Sequence, residues 1–304
     1  MNAPTKIGAF LAGLAAVFGL ALVLGSQVGS VGEPAAAAHG TGHGSAHDTV
    51  HDPDPATTAG EGPGGLAVSQ DGYTLRLARA SLPAEAGATL RLVIEGPDGK
   101  PVTAYDVQHD KLLHLIVVRR DFSGFQHVHP VLENDGTWSA PVDLTAGAWR
   151  VFADFKPTSG EALTLGADLS VSGTPEPATE QPVTRTATVE GYTVTLTGDL
   201  VVGEDSMVEL DVAKDGQPVT DLQPYLGAYG HLVALREGDL AYLHVHPDGE
   251  PGDATTSPGP VIRFGAEVPS SGRYHLYLDF RHDGVVRTAQ FALDAATEAN
   301  SSSD

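Results

Sequence analysis

Two hexapeptides, FQHVHP from Phe125 to Pro130 and YLHVHP from Tyr242 to Pro247, hold the side chains of this sequence best suited to chemistry. Each offers two imidazoles two residues apart, and on an extended strand such residues project from one face. A third histidine precedes each pair at one spacing: His114 before His127 and His129, and His231 before His244 and His246. The pattern H-x12-H-x-H therefore occurs twice, 117 residues apart. Three imidazoles with a carboxylate or a water suit Cu(II) or Zn(II). Asp154 and Asp279 share the aspartate place in ADF and LDF and are the candidate carboxylates. His275 stands where the first copy has Arg150, so the two sites need not be equal.

The imidazoles converge if the strands that carry them form hairpins. In the second copy REGDLA centres on Gly238-Asp239, a pair suited to a two-residue type II′ turn. That register sets His231 opposite His246, with Cβ atoms ~5 Å apart and the diagonal neighbour His244 ~7 Å away. The first copy has Asp121-Phe122 there, a poorer turn, and Ser123-Gly124 could move its register. The second copy is therefore expected to hold the better-formed site. A competing reading makes the histidines structural, packed beside Tyr and Trp with each imidazole bonded to backbone and copied by duplication. Three histidines at one spacing in two otherwise divergent copies favour metal.

A separate signal lies upstream, where His39, His43, His47 and His51 recur every four residues with Asp48, Asp52 and Asp54 nearby. Gly40, Gly42 and Gly44 argue against a stable helix. As a flexible tract the segment would bind Cu(II), Zn(II) or Ni(II) loosely, and otherwise it is a polar tether.

The whole chain narrows the classes. Its 304 residues carry 39 acidic and 17 basic side chains, a net charge of -22, which repels nucleic acid and anionic lipid and gathers cations. Cysteine is absent, so disulfides, Cys-based zinc sites and a thiol nucleophile are excluded. Only Met1 and Met207 could offer thioethers, too few for a Cu(I) cluster, so a metal site here uses nitrogen and oxygen. No Gly-x-Ser-x-Gly elbow, phosphate loop, dinucleotide fingerprint or His-Glu-x-x-His occurs, and an enzyme is not expected. A copper oxidase or oxygenase is a distant third reading. Cleavage after Ala38 would expose His39 for a copper-gripping histidine brace, but that cleavage site lies far past the apolar core and follows Pro34.

These histidines must be positioned by folded elements, and the chain shows where those lie. Ile7 to Gly25 is an uncharged apolar stretch long enough to span a bilayer as a helix. Lys6 precedes it and no Lys or Arg follows until Arg76, which places the N-terminus in the cytoplasm and the remainder outside. Secretion after signal cleavage is the alternative. Residues 1–33 are read as the membrane anchor and 34–66 as a disordered His-rich linker. GYTLRLARASL from Gly72 matches GYTVTLTGDLV from Gly191, DGKPVT matches DGQPVT, HLIVVRRD matches HLVALREG, and GAWRVFADFKP matches GRYHLYLDFRH. An internal repeat of this length means two tandem copies of one domain, over 67–171 and 185–294, joined by a Pro/Thr/Glu linker, 172–184, and ending in a disordered tail, 295–304. Short alternating or β-branched runs between Gly, Pro and Asp-Gly turns make each copy all-β. Two immunoglobulin-like β-sandwiches are predicted, with a small Greek-key barrel as the alternative.

KLLHLIVVRRD…FQHVHP and PYLGAYGHLVAL…LHVHP resemble repeats in bacterial extracytoplasmic proteins similar to YtkA-like and CopC-like sandwich domains. The resemblance covers about Gly72 to Ala292 and implies an immunoglobulin-like fold outside the membrane, with metal handling. CopC-like proteins present a histidine at the mature N-terminus, which an uncleaved anchor would not supply. The expected protein is membrane-anchored and outward-facing, and binds or buffers copper first and zinc second. An extracytoplasmic interaction module docking an envelope partner is the rival.

Overall fold

The computed structural model describes residues 63–177 and 181–297, and every described regular element is a strand or an isolated bridge. The apolar stretch 7–25, the tract with His39, His43, His47 and His51, and the tail from 298 lie outside the described residues. Among the described residues no helix is long and apolar enough to cross a membrane.

The first repeat contributes β1 (Ser69–Gln70), β2 (Tyr73–Leu77), β3 (Ser81–Pro83), β4 (Glu85–Glu95) and β5 (Tyr105–Asp106). It continues through β6 (Leu113–Arg119), β7 (Gln126–Val128), β8 (Val131–Leu132), β9 (Thr137–Leu144), β10 (Gly147–Pro157) and β11 (Leu163–Ser172). One sheet runs β1-β2-β4-β9-β8, and the other runs β3-β11-β10-β6-β7 with β5 on β10. This is the strand order of an immunoglobulin sandwich, with the strand through FQHVHP leaving one sheet after Val128 and joining the other at Val131. Leu75, Leu90, Leu92, Trp138, Leu115, Val117, Trp149 and Val151 fill the space between the sheets.

The second repeat follows with β12 (Thr186–Val189), β13 (Tyr192–Thr197), β14 (Ser206–Lys214), β15 (Gln217–Pro218) and β16 (Gly230–Arg236). Its remainder is β17 (Tyr242–His244), β18 (His246–Pro247), β19 (Val261–Ala266), β20 (Gly272–His282) and β21 (Val285–Ala295). The sheets run β12-β13-β14-β19-β18 and β17-β16-β20-β21. Their core includes Tyr192, Val208, Leu210, Leu232, Phe264, Tyr274, Leu276 and Phe291.

LHLIVVR in β6 has six buried positions out of seven, so both faces of the strand are covered. Leu115 and Val117 point into the first repeat's own core, whereas Ile116 and Val118 join a third apolar cluster. That cluster also holds Phe122, Phe125 and Phe152 of the first repeat and Val233, Leu235, Leu240, Tyr242 and Tyr277 of the second. The two repeats therefore pack β6 and β10 against β16 and β20. The packing is reciprocal: Phe125 stacks on Tyr277 at 3.9 Å between centroids, and their repeat counterparts, Tyr242 and Phe152, meet at 5.6 Å. A contact in which i meets j′ and j meets i′ is the mark of an approximate twofold.

The segment just before the first repeat is part of this joint. Gly64 accepts a hydrogen bond from the Tyr242 amide, Gly65 donates to Thr164 O, and Arg150 Nη2 donates to Gly65 O. A Cβ on Gly65, at φ 73°, would lie 2.5 Å from the Phe152 ring, so only glycine fits there. Residues 64–66, read from the sequence as the end of a loose linker, are hydrogen-bonded into the joint.

Candidate metal centre

His114 stands on β6 directly across from Asp154 on β10, and His231 on β16 directly across from Asp279 on β20. Opposed residues of an antiparallel pair share a face. Here that face is the one carrying Ile116, Phe152, Val233 and Tyr277, so the histidines and aspartates of both repeats are turned toward the joint. His114, Asp154 and Asp279 are all buried.

In the first repeat, β6 pairs β7 with Ile116 opposite His127, a register that brings His129 opposite His114. The loop between them closes through Arg119 N to Ser123 O, with Phe122 left-handed at φ 65°. Three ring nitrogens converge as a result. His114 Nδ1 lies 3.0 Å from His127 Nε2 and 3.3 Å from His129 Nε2, and the triad's ligand atoms all fall within 4.8 Å of one another.

The outer nitrogens fix the tautomers. His114 Nε2–H donates to Gln108 O at 3.1 Å, so its Nδ1 carries the lone pair. His127 Nδ1–H donates across the joint to Asp279 Oδ2 at 2.8 Å, and the Thr288 hydroxyl holds the other carboxylate oxygen at 2.6 Å. In the neutral rings two lone pairs then face each other across 3.0 Å. Either a proton or a metal ion must lie between them. With metal–nitrogen bonds of about 2.05 Å, a tetrahedral edge is about 3.3 Å and a right-angled edge about 2.9 Å, so both spacings fit one ion. The carboxylate behind His127 is the outer partner that orients a ligating imidazole and raises its basicity.

Burial makes the protonated rings costly. It drives His114 down to about 4, with the charge on His127 adding to the effect. It drives His129 down to about 3, with His127 and His114 adding. His231 falls to about 3, again through burial first. Neutral imidazole is the form that binds metal.

The second repeat departs from the first. β16 and β17 pair with Val233 opposite His244, which is the register expected from the sequence, although the loop spans Glu237–Leu240 rather than two residues. The strand then leaves its sheet one residue earlier than its counterpart, after His244, and joins the other sheet two residues earlier, at His246. His246 pairs with Gly265 on β19 in the other sheet and is exposed, so it does not join His231. Among the described residues the converged triad lies in the first repeat, where the turn was the poorer one. His231 is instead drawn into the first repeat's cluster, 6.1 Å from His114 and 6.2 Å from His127 between ring centroids. Its Nε2–H donates to Leu226 O at 2.9 Å. His275 is spent elsewhere, stacked on Phe122 at 3.8 Å and bonded to Glu237.

Two residues of the cluster escaped the sequence reading. His109 lies 5.9 Å from His114 and 5.3 Å from His231 between ring centroids. Tyr225 lies 6.2 Å from His231 and 6.3 Å from His129, and burial and the charge on Asp279 raise its phenol to about 12. The available signal was the matched place of the two segments, Gln108–Lys111 and Tyr225–Ala228, each a tight turn just before its histidine strand.

The chain belongs to the DUF8832 family, described as a domain of unknown function, which matches twice, over residues 67–173 and 187–297. No curated protein matches the chain. Among solved structures it is similar to the Escherichia coli adhesin FdeC at 17% identity, covering 76% of this chain and 66% of that one, with a TM-score of 0.24. It is similar to the Yersinia pseudotuberculosis adhesin InvE at 12% identity, covering 75% and 60%, also with a TM-score of 0.24. A Salmonella alpha-2-macroglobulin mutant gives 14% identity over 78% of this chain and 15% of that one, with a TM-score of 0.25.

Proposed function

We propose that the chain binds one divalent transition metal ion, copper first and zinc second, between His114, His127 and His129. The observation that carries this reading is the pair of ring nitrogens, His114 Nδ1 and His127 Nε2, held 3.0 Å apart by hydrogen bonds made on their far sides. An all-nitrogen set favours Cu(II) over Zn(II) in intrinsic affinity. The role is binding or buffering rather than turnover, on the outer side of a membrane with residues 7–25 as anchor. The resemblance to YtkA-like and CopC-like domains and the net charge of -22 support a cation-handling place in the envelope.

The second reading is an extracytoplasmic interaction module that presents the joined sandwiches to an envelope partner. The His127–Asp279 hydrogen bond favours it, because that bond ties the repeats together without any ion. Equilibrium dialysis against Cu(II) and Zn(II), on chain with the 39–51 histidines replaced by alanine, separates the two. Tight binding from which His127→Ala removes an ion supports the metal reading. Absence of tight binding leaves the interaction module.

A further inference from the structure

We infer that the joint holds a second metal site, centred on His231, in which His109 of the first repeat takes the place that His246 has left. This rests on the triad reading above, because it uses the triad as its template.

The approximate twofold that exchanges the repeats takes His114 to His231, His127 to His244 and Asp279 to Asp154. Each correspondence holds on the backbone. Val233 pairs with His244 as Ile116 pairs with His127, and Asp154 faces His114 as Asp279 faces His231. His231 is also held like His114. Its Nε2–H is bound to a carbonyl of the preceding turn, Leu226 O, as His114 Nε2–H is bound to Gln108 O. In both rings this leaves Nδ1 with the lone pair.

The third corner is where the copies differ. In the first repeat His129 meets His114 edge-on, at 5.0 Å between centroids and 84° between planes. Its sequence counterpart His246 has gone to the other sheet. His109 meets His231 in the same manner, at 5.3 Å and 77°. It comes from the first repeat's turn, where Gln108 and Lys111 exchange both backbone hydrogen bonds. The two central residues, His109 at φ 46° and Asp110 at φ 63°, are both left-handed without glycine. The matching turn of the second repeat carries Leu226 and Gly227 in those places, with no imidazole to return. The compensation is therefore one-sided. It completes the site that lost a histidine, and leaves the complete one unaltered.

The test is Zn(II) stoichiometry by equilibrium dialysis on the full-length chain in detergent, with His39, His43, His47 and His51 replaced by alanine. The parent is expected to bind two ions. His109→Asn, which keeps a residue tolerant of the left-handed turn, and His231→Ala are each expected to remove one ion and spare the other. His127→Ala is expected to remove the triad ion alone. One ion in the parent that survives His109→Asn overturns the second site and leaves the triad standing. Two ions unaffected by His109→Asn overturn it as well. Loss of both ions in His109→Asn, with the thermal transition unchanged, means a single mixed site and also overturns it. No ion in the parent removes the triad and this site together.

Discussion

His127 of the first repeat and Asp279 of the second share a 2.8 Å hydrogen bond, with both side chains 4% exposed. A group of the second sandwich thereby sets which nitrogen of a first-sandwich histidine can face a metal. Asp279→Asn keeps the size and removes the charge. We expect metal affinity to fall by about 10–100-fold, measured by chelator competition, with the fold retained by circular dichroism.

His129 and His246 occupy the same place in the repeated motif and opposite places in the fold. His129→Ala should remove the triad ion, and His246→Ala should leave it bound. Equal effects from the two variants would contradict the early sheet switch after His244.

The apo protein should weaken in mild acid. His114 titrates near 4 in the folded chain against an ordinary value of 6.5, so between those values the unfolded chain binds more protons. Stability is then full above about pH 6.5 and declines as pH falls toward 4, by about 2 kcal/mol from His114 alone between pH 7 and 5. His129 and His231 act in the same direction down to about 3. Urea denaturation of metal-free protein at pH 7, 6 and 5 reads the slope. A midpoint independent of pH would contradict the burial of His114 and His129 as neutral imidazoles.

Phe152 fills the joint against Tyr242 and Gly65, outside either sandwich's own core. Phe152→Ala should cost about 3–5 kcal/mol and split one calorimetric transition into two, because the repeats lose their shared cluster. It should also weaken metal binding, since Asp279 reaches His127 only across an intact joint.

Much of this was legible in the sequence. The repeat showed itself at four matched segments, the alternation marked the strands, and the common spacing of His114, His127 and His129 already implied one face. Asp154 and Asp279 fell where the doubled ADF and LDF put them. The docking of one repeat on the other was not read, although LHLIVVR announces a strand covered on both sides rather than a half-exposed one. Where a strand switches sheets depends on pairing free energies across both sheets, which local pattern does not show. The spacing therefore sets His246 beside His231 and favours the second copy, whereas the described triad forms in the first. His109 was missed because a turn residue joins a site only through tertiary contact, and nothing in QHDK points toward His231.

The central claim is tested most directly by Cu(II) and Zn(II) titration of the full chain lacking the 39–51 histidines, beside its His127→Ala variant. Loss of one tightly bound ion from parent to variant, with the fold retained by circular dichroism, is the expected result. Absence of tight binding in the parent, or an ion count that His127→Ala leaves unchanged, would contradict it.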